Sequence, residues 1–269
     1  MDTSVLTRNR NHTAKSPERN RYFYGMLMDV FHFKRETDYF NAKRYLLNRL
    51  VSGYGVVCGL DVTPGDEMNQ IYVTPGLAID KWGRELLVPQ EVGPVVIPDH
   101  ILEQAIQEQV PDSYLGQYQQ PKRQEEVGCI QVLLCYQECE TDPAPALAGD
   151  CSSNDGCLPS TIREQFQIRF EPSCDEPDKY ECESHNIISN NGRINVPELV
   201  RWVTERDCLE LPEDSCIPLA HIMIEQGQGH RCNTDYIDTY IRPICYSNDL
   251  LFELILGLIN DRQRDRGRK

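Results

Sequence analysis

The stretch Arg19-Asn20-Arg21-Tyr22-Phe23-Tyr24-Gly25-Met26-Leu27 leads through a helical pattern to Leu50. It ends in Gly53-Tyr54-Gly55-Val56-Val57-Cys58-Gly59-Leu60-Asp61-Val62. This is the pattern of a helix that runs into a glycine-punctuated strand. Asp29 is placed to cap the helix, because its carboxylate can accept from the free amides of a first turn. Phe33, Phe40, Leu47 and Leu50 or Val51 recur at helical steps, with Tyr39 and Leu46 alongside. Lys34, Arg35, Glu36, Asp38, Lys43 and Arg44 fill the other faces. Gly53 sits where a helix takes a left-handed closing residue. Two readings follow: a core-facing helix, or one whose aromatics pack partly on a neighbouring subunit.

Downstream, short apolar runs alternate with turn residues. Strands are expected over 55–63, Gln70–Thr74, Leu77–Asp80, Arg84–Val88 and Val92–Ile97, with Gly83 supplying the positive φ of a hairpin loop. A short helix is expected over 99–108, an exposed Gln/Pro/Tyr-rich loop over 109–126, and a strongly apolar strand over Val127–Tyr136. Phe166–Phe170 alternates like a strand, and so does Ile217–Glu225. Asn195 precedes a helix over Val196–Arg206, with Pro197 in its first turn. Ser247 precedes a last helix over Asn248–Asp261.

The expected fold is therefore α+β: mainly short antiparallel strands in a sandwich- or barrel-like body, with an N-terminal amphipathic helix and a C-terminal helix. The organisation reads as a basic arm (1–21), a docking helix region (22–54), a β body (55–136), an acidic cysteine-bearing insertion (137–185), the remainder of the body (186–246), and a C-terminal helix with a basic tail (247–269).

The formal charge of the 269-residue chain is −15. Residues 1–21 and 261–269 each carry net +3, which leaves −21 on the segment between them. Such a body is a poor match for nucleic acid, which needs a clustered positive surface. The first 21 residues contain no apolar signal core. The apolar run Leu250–Ile259 is too short to span a bilayer. A cytoplasmic protein, attached to membranes only through partners, is expected.

Twelve cysteines are present. Cys58, Cys129 and Cys135 lie in apolar strand-like runs and read as small core residues. The 137–185 segment has little apolar surface with which to order itself. A structural zinc on Cys139, Cys151, Cys157 and Cys174 would supply folding free energy, although the chain has no CxxC pair. Disulfides and free thiols are the alternatives, with Cys208–Cys216 and Cys232–Cys245 as candidate bridges across turns. His221, His230 and Cys232 could approach one another, but His221 alternates with apolar neighbours and reads as the outward residue of a half-buried strand. Asp61 with Asp66, or Asp80 with Glu85, could serve general acid–base chemistry; both pairs sit beside turns, where carboxylates usually cap or face water. No nucleophile elbow, Walker-type phosphate loop or HExxH helix occurs.

The segment Tyr22–Leu27 through Asn48-Arg49, with Gly53–Val62, resembles bacterial proteins associated with phage-tail-like contractile injection systems. Pro75-Gly76-Leu77-Ala78-Ile79-Asp80-x-x-Gly83-Arg84-Glu85-Leu86 fits the same resemblance, as does Tyr136-x-Glu138-Cys139-x-Thr141-Asp142-Pro143. Ile217–Ile222 with Tyr236–Arg242 is similar to segments of tail-fibre and baseplate proteins. The resemblance covers about two-thirds of the chain, and its motifs are structural. It implies a non-enzymatic, baseplate-associated subunit, present in multiple copies, whose partners are other baseplate, sheath or tube proteins. Tyr22, Phe23, Tyr24, Phe31 and Phe33 are then the natural anchors, since aromatic side chains give large contact area at low entropic cost. The cysteine insertion and the basic ends are the parts the resemblance explains least, and no cofactor is expected beyond the structural zinc read from the cysteines. A stand-alone cysteine-ligated adaptor and a hydrolase built around Asp80 are the competing expectations.

Overall fold

The computed structural model describes residues 17–65, 69–107, 127–145, 157–172, 187–188, 193–205, 211–225 and 231–266. The chain divides into two units, residues 1–44 with 178–213, and residues 45–177 with 214–269. The fold is α+β, with ten antiparallel strands in three sheets and four helices among the described residues.

Helix α1 (Val30–Leu47) starts as its sequence demands. The His32 amide donates to Asp29 Oδ1 at 3.2 Å, satisfying one orphan donor of the first turn. The helix ends through a π-helical turn (Asn48–Ser52), and Gly53 leaves with φ +82°. No side chain of α1 is buried, so the core-facing reading of its apolar stripe does not hold.

The second unit begins with β1 (Gly55–Gly59) and β2 (Val62–Pro64). The single strand expected over 55–63 is broken here. Gly59 and Leu60 both adopt left-handed φ, +64° and +58°, and the chain leaves one sheet for another. A Cβ at Gly59 would collide with the Pro75 carbonyl. Leu60 tolerates a conformation that L-residues avoid, held there by a fully buried side chain. Strands β3 (Gln70–Val73), β4 (Gly76–Ile79), β5 (Glu85–Val88) and β6 (Val92–Val96) follow. The sheet orders are β1-β4-β5 and β2-β3-β6, so the expected meander is in fact shared between two sheets.

Helix α2 (Asp99–Gln107) buries Leu102 and Ala105. It lies so close to β7 (Val127–Pro145) that a Cβ at Gly128 would press on the Ala105 carbonyl. The third sheet has the order β10-β9-β7-β8, with β8 spanning Cys157–Glu171, β9 Ile217–Glu225 and β10 Arg231–Asp238. Residues of all three sheets and α2 share one core. Ile71 and Val73, Leu86 and Val88, and Ile130, Val132 and Leu134 enter it at the two-residue period of a strand.

Helix α3 (Val196–Glu205) belongs to the first unit. Helix α4 (Asn248–Arg266) ends the described chain. The Leu250 amide donates to Ser247 Oγ at 3.2 Å, the expected cap, and the helix runs five residues past its expected end. Among the described residues no helix is long and apolar enough to cross a membrane. The loop expected over 109–126 lies outside the described residues.

Candidate interaction surfaces

Residues 20–36 fold back on themselves. Asn20 Nδ2 donates to the His32 carbonyl at 2.6 Å and to Glu36 Oε2 at 3.2 Å; the Tyr22 hydroxyl donates to the same carboxylate at 3.1 Å. Met26 N donates to the Phe23 carbonyl at 3.1 Å, closing a turn with Tyr24 at its tip. Arg35 lies over the Phe31 ring at 4.4 Å, a cation–π arrangement. The segment is thus ordered by polar contacts, while its rings face water. Tyr22, Phe23, Tyr24, Phe31 and Phe33 are all exposed, Tyr24 at 106% and Phe23 at 67%. These rings lie in solvent and take no part in a core.

Where α1 ends, a polar knot ties the body together. Asp80 is wholly buried. Its Oδ1 accepts from the amides of Trp82 and Arg84 at 2.9 and 2.8 Å. Its Oδ2 accepts from Arg84 Nε at 2.7 Å and pairs with Arg84 Nη2 at 2.6 Å. The guanidinium is sandwiched between Trp82 and Tyr136, 4.7 and 4.2 Å from their centroids, and also donates to Ser215 Oγ at 2.8 Å. Burial, together with Glu138, holds the Tyr136 hydroxyl well above its ordinary pKa. Asn48 Nδ2 donates to Glu85 Oε1 at 2.8 Å and to the Gly83 carbonyl at 2.9 Å. Asp80 and Glu85, the pair considered for acid–base chemistry, are therefore both engaged in holding a turn. Of the two expectations for a carboxylate beside this turn, Asp80 caps it and does not face water: four donors replace the solvent it lost. Asp61 stands 3.7 Å from Arg242, and Asp66 lies outside the described residues.

The cysteines are arranged differently from the expectation. Cys135 and Cys216 form a disulfide with a Cα–Cα distance of 4.5 Å. They stand opposite each other by extension of the β7–β9 register, in which Leu134 faces Ile217. Cys129 is disulfide-bonded too. Neither Cys129 nor Cys135 is a lone core thiol, and the bridge considered between Cys208 and Cys216 is replaced by Cys135–Cys216. Cys58 is exposed and free, not buried; Cys245 is buried and free, so it does not bridge to Cys232. Its thiol donates to the Ser52 carbonyl at 3.2 Å, and burial raises its pKa.

Of the four residues considered for zinc, Cys151 and Cys174 lie outside the described residues. Cys139 is exposed and free on β7, opposite Arg163. Cys157 begins β8 opposite Pro145. The two are six register steps apart, about 20 Å along the strands, so they do not meet on one tetrahedral centre in this backbone. Among the described residues no group of three or more His, Cys, Asp or Glu is placed to hold a metal ion. His221 is buried, not outward-facing, and its Nε2 is 3.2 Å from Gln131 Nε2. His230 lies outside the described residues, and Cys232 is described in its backbone only.

Two features were not anticipated. The first is a ribbon. β9 covers β7 only from Val127 to Leu134, whereas β8 pairs with β7 out to Pro145. Among the described residues, Tyr136–Pro145 and Cys157–Phe166 therefore form a two-stranded arm about 30 Å long. Leu158 and Ile162 are exposed on one of its faces, beside Glu138, Glu140 and Glu164. The second is the bare state of α4. Leu251, Phe252, Leu254, Ile255, Leu256 and Leu258 are all more than a third exposed. The run Leu250–Ile259 in the sequence was the signal for it; its interruption by Glu253 concealed how much of the helix surface is apolar.

No protein-family model matches the chain, and no curated protein matches its sequence.

Proposed function

We propose that this chain is a structural subunit that works by binding several neighbours at once, as a baseplate-associated component of a contractile injection system. One observation carries the reading: large aromatic side chains stand in solvent over residues 22–33 and along α1. Helix α1 leaves Phe31, Phe33 and Phe40 in water, and the residues before it present Tyr22, Phe23 and Tyr24. Exposed apolar surface of this extent is costly in water and becomes favourable when a partner covers it, at about 25 cal/mol per Å². Leu158 and Ile162 of the ribbon and the apolar side chains of α4 are exposed as well. Several modest contacts joined in one chain give avidity that no single one supplies. The partners are other baseplate, sheath or tube proteins, and the subunit acts in the cytoplasm in multiple copies. The position of this reading within contractile systems rests on the sequence resemblance.

The test is incorporation. A variant with Tyr22, Phe23, Tyr24, Phe31 and Phe33 all changed to Ser is expected to fold with an unchanged body, because these side chains lie in solvent, and to be absent from purified assemblies. Normal incorporation of that variant would refute the assignment of this patch, and isolated wild-type chain with no assembly partners would refute the function.

A further inference from the structure

Near the far end of the ribbon, one peptide bond is surrounded by the groups that could break it. Asp142-Pro143 is the sole Asp-Pro dipeptide in the chain. Asp142 holds φ +55°, a left-handed conformation unfavourable for an L-residue. The proline that follows presses its neighbour toward extended backbone, so two steric demands conflict at this residue. Across the ribbon on β8, the Ser160 hydroxyl donates to the Asp142 carbonyl oxygen at 2.6 Å. That oxygen belongs to the Asp142–Pro143 peptide bond. The Thr141 hydroxyl donates to Asp142 Oδ2 at 2.8 Å. Thr141 and Thr161 hold the Asp142 carboxyl below its ordinary pKa, and the positive charge of Arg163 on β8 acts in the same direction. Asp142, Pro143 and Ser160 are all exposed, so water reaches the bond.

We propose that Asp142–Pro143 is a self-cleavage site, at which the Asp142 carboxylate attacks its own main-chain carbonyl carbon. The attacking oxygen reaches that carbon through a five-membered ring, so the reaction is intramolecular and needs no partner. A new C–O bond forms, and the developing oxyanion accepts from Ser160 Oγ. The C–N bond then breaks. Its electron pair goes to the prolyl nitrogen, which leaves as an amine with a proton taken from water. Proline is suited to leave, because its doubly substituted nitrogen is more basic than that of an ordinary peptide. The cyclic anhydride left at Asp142 is opened by one water to two carboxylates. The net change is one water added across one peptide bond, with nothing oxidised or reduced. Release of the left-handed φ favours the forward direction. A carboxyl held below its ordinary pKa stays ionised in mild acid, where the proton for the leaving nitrogen is more abundant. After the cut, pairing of Gln131–Thr141 with Thr161–Glu171 still joins the two pieces. The inference goes beyond the proposed function: it is a single event in the chain's own backbone, independent of any neighbour.

The experiment is denaturing mass spectrometry of the full-length chain after incubation in mild acid, with the same chain held unfolded in concentrated urea as the reference. Any Asp-Pro bond is somewhat labile in acid, and the unfolded chain measures that background. The folded chain is expected to yield fragments 1–142 and 143–269 at least about tenfold faster than the unfolded one. Ser160→Ala is expected to bring the folded rate down toward the unfolded rate, with an unchanged thermal midpoint, since its side chain is exposed. Asp142→Ala and Pro143→Ala are each expected to abolish the cut. A folded chain that cleaves no faster than the unfolded one overturns the inference. So does a Ser160→Ala chain that cleaves at the wild-type rate, or an Asp142→Ala chain that is still cut between residues 142 and 143. An uncut chain that enters the assembly leaves the proposed function standing; a cut chain that joins no assembly removes that function and leaves this site.

Discussion

Arg84 grips Asp80 through two nitrogens on one oxygen, Nε at 2.7 Å and Nη2 at 2.6 Å, four residues away across the turn between β4 and β5. Asp80 is fully buried and Arg84 nearly so, at 0% and 16% side-chain exposure. Removing one member strands a charge in a poorly solvated site. Asp80→Ala is expected to cost about 3–5 kcal/mol. Arg84→Lys keeps the charge but loses the planar fork and the stacking on Trp82 and Tyr136, so it too should destabilise, by less. Urea unfolding of the three proteins decides this; an Asp80→Ala midpoint equal to wild type would mean the pair holds nothing.

Gly83 lies between α1 and this knot. Its φ is +89°, and a Cβ there would run into the Tyr45 carbonyl. Gly83→Ala therefore meets backbone strain and a backbone collision together. A loss of at least about 2 kcal/mol is expected, read as a lower thermal midpoint. Ala tolerated without loss would show that the turn and the end of α1 are not in contact as described.

The Cys135–Cys216 bridge closes a loop with a sequence separation of 81 residues. In the chain-entropy account a closure of that size contributes about 4–5 kcal/mol, with measured bridges usually nearer 2–4. It also pins Ser215, whose hydroxyl accepts from Arg84 and whose carbonyl accepts from the Lys81 amide at 3.2 Å. Replacing both cysteines by Ala should lower stability by roughly 2–4 kcal/mol and should make wild type and variant alike under reducing conditions. A reductant that leaves the wild-type midpoint unchanged would argue against a structural bridge.

At the other end of the first helix, hydrogen bonds from the His32 backbone and side chain hold the Asp29 carboxyl below its ordinary value of 3.8. A depressed carboxylate stabilises above its unfolded pKa, and that contribution is lost as pH falls through the folded one. The first turn of α1 should accordingly persist through pH 4 and fray only in stronger acid. An NMR titration of the Asp29 carboxyl and the His32 amide should give one common midpoint below 3.8; a midpoint at or above it would contradict the cap.

Much of this architecture follows from local chemistry. Asp29 and Ser247 announce their helices because a side-chain oxygen is needed where amides lack partners, and Gly83 announces its turn because a positive φ is needed there. The two-residue alternation of Ile71 with Val73 and of Leu86 with Val88 marks buried faces directly. What stayed hidden depends on residues distant in sequence. Asp80 reads as a turn acid that caps or faces water, and its full burial becomes evident only once Tyr136 and Ser215 are brought beside Arg84. The ribbon is disguised by Pro143, Pro145 and Pro159, which ordinarily argue against a strand; Pro143 faces Pro159, and a two-stranded arm tolerates such positions where a central strand would not. Cysteine connectivity is combinatorial in sequence and becomes definite only once the β7–β9 register sets Cys135 against Cys216. The aromatic residues proposed as anchors were legible as residue types, and the structure adds that they are in solvent.

The most direct test of the account is cross-linking mass spectrometry on the tagged full-length chain recovered from native lysate. The account expects sheath, tube or other baseplate subunits among the recovered proteins, with cross-links from Lys34 and Lys43 of α1 to more than one of them. Recovery of the chain alone, with every cross-link internal to a single copy, would contradict it.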